Sequence, residues 1–194
     1  MRFEGTFGVI TVDVKQCEDC NELFELIKTF WDNDRVETLK YLSVVNKKLL
    51  KKRIVAFLNT DRCEWDIFMF ACLSQQYNII EFLLKTGKYN INEFYKSSNP
   101  KTPLHLVYKN IELLNLFIST GKADPQLTGV FIEACMNGDA SAAILMYNMC
   151  NCTPNHLFYS HPETYGHEYL CNHFKHNPKG GVKPGVYIEE YVKH

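Results

Sequence analysis

The chain has 194 residues, 46% of them hydrophobic and 22% charged, a balance that excludes a disordered or fibrous polymer and fits one ordinary domain with an appendage. Its 21 Lys and Arg against 22 Asp and Glu leave a formal charge of -1, so no general basic field gathers nucleic acid, and nucleic acid is not an expected partner. No run approaches the roughly 18 apolar residues of a membrane helix, and Met1-Arg2-Phe3-Glu4-Gly5 lacks a secretory layout; no membrane partner is expected, and the expected location is the cytoplasm or the nucleus.

In chain order, Phe7 to Val14 is β-branched and alternating, which predicts a strand. Residues 1–20 thus read as an N-terminal strand and cap. Cys17 and Cys20 make an isolated CxxC without a partner pair, and they read as incidental thiols. With eight Cys and no secretory signal, thiols are expected in place of disulfides. Leu23 to Val45 predicts two helices, one through Phe24, Ile27, Phe30 and Trp31 and one through Val36, Leu39 and Leu42. Lys47, Lys48, Lys51, Lys52 and Arg53 surround Leu49, Leu50 and Ile54, predicting a basic amphipathic linker helix with its cations solvated. An internal repeat follows. Asp66 to Asn92 and Thr102 to Gln126 each hold a short apolar helix, a polar break, a longer Ile- and Leu-rich helix, and then Thr-Gly-Lys. Ile79, Ile80, Leu83 and Leu84 share one helical face, and Gly87 and Gly121 stand where a helix end wants a residue that tolerates positive φ. Val130 to Tyr147 reads as a further, weaker copy with small alanines in its second helix.

Thr102-Pro103-Leu104-His105, opening a short helix, resembles the ankyrin repeat, a β-turn followed by two antiparallel helices. Thr102 caps, Pro103 has no N–H to leave unpaired at the first helical position, and His105 reaches the turn backbone. The loops after Gly87 and Gly121 resemble the family's Gly-Ala-Asp loop and share one insertion. The fold class the resemblance implies is mainly α, an ankyrin-like stack of about four degenerate helix pairs over 21–150. Short β segments stand at the two termini, the second being Gly185 to Val192, with a loop-rich, His/Cys-rich appendage over 151–194.

The resemblance also implies a function: a non-enzymatic interaction module that binds a partner protein through the concave surface and turn tips. The positions that match are Tyr89, Glu93, Tyr95, Lys96, Asn99 and Lys101 in the turn before Thr102, and Leu73, Ser74, Tyr108, Lys109, Met136 and Asn137 at first-helix ends. Tyr89 and Tyr95 lead, because amphipathic aromatics dominate binding hot spots. The short stack and the Asn, Lys, Tyr and Phe content fit a viral or bacterial modulator of host signalling.

An alternative rests on the appendage, where His156, His161, His167, His173 and His176 lie close to Cys150, Cys152 and Cys171. Imidazole and thiolate are zinc ligands, and His167, Cys171, His173 and His176 are the nearest set, so the alternative is a zinc-binding regulator or metal-dependent enzyme. The spacing matches no standard finger. The chain also lacks GxSxG, GxxxxGK[ST], GxGxxG and HExxH, so no catalytic residue is assigned and no cofactor other than zinc is indicated.

Overall fold

The computed structural model describes residues 2–5, 8–12, 53–58, 61–154 and 168–176. The expected helices over 23–45, the Cys17 and Cys20 pair, Lys47 to Lys52, His156, His161, His167 and the strand over 185–192 lie outside these residues. Among the described residues the chain is mainly helical, with one antiparallel sheet. It divides into two compact units, Met1–Val107 and Tyr108–His194.

The first unit carries the sheet, in the order β1 (Arg2–Gly5), β2 (Gly8–Val12), β3 (Ile54–Leu58) and β4 (Asp61–Trp65). The expected Phe7 to Val14 strand is β2 at its centre, and it pairs with β3, Ile10 standing opposite Leu58. The basic helix drawn through Ile54 needs correction. Ile54 opens β3 opposite Trp65, because the run Ile-Val-Ala-Phe-Leu has the β-branched and aromatic content of a strand. In β4, exposed Arg62 and half-buried Glu64 alternate with buried Cys63 and Trp65, the period of two that a one-sided strand requires.

Helix α1 (Ile67–Leu73) is buried along its whole length, so it forms the centre of the unit. Asp66 starts it. One carboxylate oxygen, Oδ1, accepts from the backbone N–H of Phe68 at 3.0 Å and of Met69 at 3.1 Å, satisfying two donors that a helix start leaves unpaired. Helix α2 (Tyr77–Lys85) returns along α1 with Ile79, Ile80 and Leu83 buried, and each such burial contributes about 1.5–3 kcal/mol. Between them Gln75 adopts φ +58°, and its Nε2 donates to Cys72 O at 2.8 Å and to Leu106 O at 2.7 Å. The turn is thereby tied to α3 (Pro103–Val107), which packs on α1. At the start of α3, His105 Nδ1 accepts from the Thr102 backbone N–H at 3.0 Å and lies 2.8 Å from the Thr102 hydroxyl, the turn contact expected of this histidine.

The second unit holds α4 (Ile111–Ser119), α5 (Val130–Asn137), α6 (Ala140–Met149) and α7 (Glu168–His176). Asn110 caps α4 through Oδ1, which accepts from Leu113 N at 3.2 Å. Buried Ala142 and Ala143 let α6 lie close to α5, and α4 packs on α6. Gly87 and Gly121 both sit at positive φ, +65° and +66°, as the helix ends demanded. The segment after residue 150 is not loop throughout. Leu170, Cys171 and Phe174 give α7 a narrow buried face, with the Phe174 ring 4.5 Å from Tyr147 and 5.9 Å from Phe131.

Asp66 gives the first unit a pH dependence. The carboxyl is 6% exposed, and burial pushes it above its ordinary value of 3.8, against the opposing effects of Tyr95, the two backbone N–H groups and Arg53. A folded-state value above the unfolded one means that the group's stabilising contribution is complete below the unfolded value and is lost as pH rises through the folded one. An Asp66→Asn variant keeps the capping oxygen and loses the titration. The melting temperature of the wild type, measured relative to Asp66→Asn, should therefore fall as the pH rises from the ordinary carboxyl value of 3.8 towards neutrality. A difference that rises over that interval would show that the charged carboxylate is favoured in the fold.

Candidate functional site

Four of the residues expected to bind a partner come together in the second unit. Asn137 ends α5, and its Nδ2 donates to the Tyr108 hydroxyl oxygen at 2.9 Å. Lys109 Nζ lies 5.8 Å from the centre of the Tyr108 ring and 3.5 Å from Asp139 Oδ2. Beside them Met136 is 52% exposed, more than a large apolar side chain with a core role requires. Tyr108 itself is buried, and burial, with the Asp139 and Glu133 charges adding to it, raises its phenol above the ordinary value; it stays a neutral hydroxyl at any physiological pH. The cluster also includes the Asp139 carboxylate. It offers an adaptable thioether, an amide and an ammonium on a buried tyrosine base, which suits contact with another protein.

The first-unit candidates are placed differently. Tyr95 is 1% exposed, which corrects its assignment as a leading contact for a partner. Its hydroxyl donates to Asp66 Oδ2 at 2.5 Å, the Arg53 guanidinium lies 4.8 Å from its ring centre, and Arg53 also pairs with Glu93. The backbone of Tyr95 bridges to that of Lys101, so the turn is closed upon itself. Tyr89 is half-buried with its ring 4.9 Å from Phe68, and burial raises its phenol too. Leu73 is in the core at 1% exposure, a second correction, while half-buried Ser74 spends its hydroxyl on Phe70 O and Ala71 O. Lys96 and Asn99 are exposed, and Lys96 Nζ stands 3.8 Å from Glu64. Sequence reasoning missed Phe94, 48% exposed, and Leu127, 72% exposed. Both are apolar residues inside polar turns, and that mismatch was the available signal.

The proposed zinc set is not gathered among the described residues. Cys171 is buried, His173 half-buried and His176 exposed, with the His176 Nδ1 2.8 Å from Asn172 O. Two positions on a helix differ by about 200° when they are two residues apart, so Cys171 and His173 point away from each other. No group of three or more His, Cys, Asp or Glu suited to a metal occurs among the described residues. Cys171 is buried, as are Cys135 and Cys152, and burial above all pushes the Cys135 thiol up to about 12. Such a thiol is protonated and unreactive.

No protein-family model matches the chain, and no solved structure does. A stretch of 90 residues, 45% of the chain, is 32% identical to alpha-latrotoxin-Lg1a of Latrodectus geometricus. That stretch corresponds to 6% of the toxin's length.

Proposed function

We propose that the chain is a non-enzymatic protein-interaction module built on ankyrin-like helix pairs, and that it engages a partner protein through Lys109, Met136 and Asn137 around Tyr108. The stacking pattern supports the ankyrin-like part. In the first unit α1 packs on α3, first helix on first helix, and in the second α4 packs on α6, second helix on second helix. The Thr102 and His105 cap, the Tyr95 and Lys101 bridge across the preceding turn, and the positive φ at Gly87 and Gly121 agree with it. The observation that carries the binding part is Met136, exposed at the end of α5 and flanked by groups whose positions are already fixed by Tyr108 and Asp139. Such preorganisation lowers the entropic cost of association.

The test is affinity capture on the immobilised protein, followed by measured affinities for whatever is retained. Met136→Asp should weaken binding by about 30-fold, corresponding to the hot-spot level of about 2 kcal/mol, because it puts a carboxylate where an apolar contact is made. The melting temperature should change little, since the side chain is more than half exposed. Glu112→Lys, on the exposed side of α4, should leave binding intact. Retention of the same partner at the same affinity by a Met136→Asp, Lys109→Glu double variant would exclude this surface.

A further inference from the structure

We draw no further inference here: the strongest candidate, the Cys135, Cys152 and Cys171 thiols buried where α7 meets α5 and the segment after α6, carries nothing because only an effect on the titration of Cys135 relates the three sulfurs to one another.

Discussion

Replacing Tyr95 by alanine should cost about 3–5 kcal/mol of stability in the first unit, the range seen when a fully buried aromatic ring is removed. Two losses combine. The ring is 1% exposed, so its removal leaves a cavity, and Asp66 Oδ2 loses the hydroxyl that donates to it. Tyr95→Phe separates the two, because it keeps the ring and removes only the donor. A buried carboxylate deprived of one partner is worth about 1–3 kcal/mol, so the phenylalanine variant should fall between the wild type and alanine. Chemical denaturation of the three proteins measures this directly. A Tyr95→Ala protein that unfolds at the wild-type denaturant concentration would mean that the ring lies outside the core and is available to a partner after all.

The position of Tyr95 illustrates where the sequence stops being informative. Phe94 and Tyr95 are adjacent aromatics in a turn, and a turn has no period to say which side chain goes inside. Asp66, 29 positions earlier, decides it, since a buried carboxylate recruits the aromatic that carries a hydroxyl. The helices were legible for the opposite reason. Ile79, Ile80 and Leu83 repeat at helical spacing and are buried, and Thr102, Gly87 and Gly121 mark helix ends through local chemistry that needs no distant partner. β3 was hidden because the cations before Ile54 suggested a helix that continued, whereas the strand is defined by pairing with β4, a relation between segments. β4 shows its period of two only over five residues.

The candidate surface was legible in part. Tyr108, Lys109, Met136 and Asn137 were named from their shared position at first-helix ends, and the bond from Asn137 to Tyr108 joins them. Leu73 was named from the same position and Tyr95 from the turn before Thr102, and both are buried. Repeat position predicts which backbone lies near the surface, but the burial of Tyr95 depends on side chains distant in sequence, here Asp66 and Arg53.

Phe174→Ala should cost about 3–5 kcal/mol in the second unit for the loss of a buried aromatic ring, and should release α7 from its neighbours. Phe174 is 2% exposed and touches both Phe131 and Tyr147, and among the described residues Leu170 and Cys171 alone share the buried face of α7 with it. A nine-residue helix does not persist in water alone, so hydrogen exchange over Glu168–His176 should rise to the rate of an open chain when that anchor is gone. Cys171 separates the apolar account of α7 from the metal-ligand one. If the thiol is a small core group, Cys171→Ala costs little, Cys171→Ser costs about 1–3 kcal/mol because it buries a hydroxyl, and a chelator leaves the wild-type melting temperature unchanged. A zinc ligand gives the reverse pattern, with alanine and serine equally damaging and the chelator as damaging as either. Full amide protection of α7 in Phe174→Ala, together with its loss in Cys171→Ala, would establish that the helix is held by its sulfur and not by its apolar face.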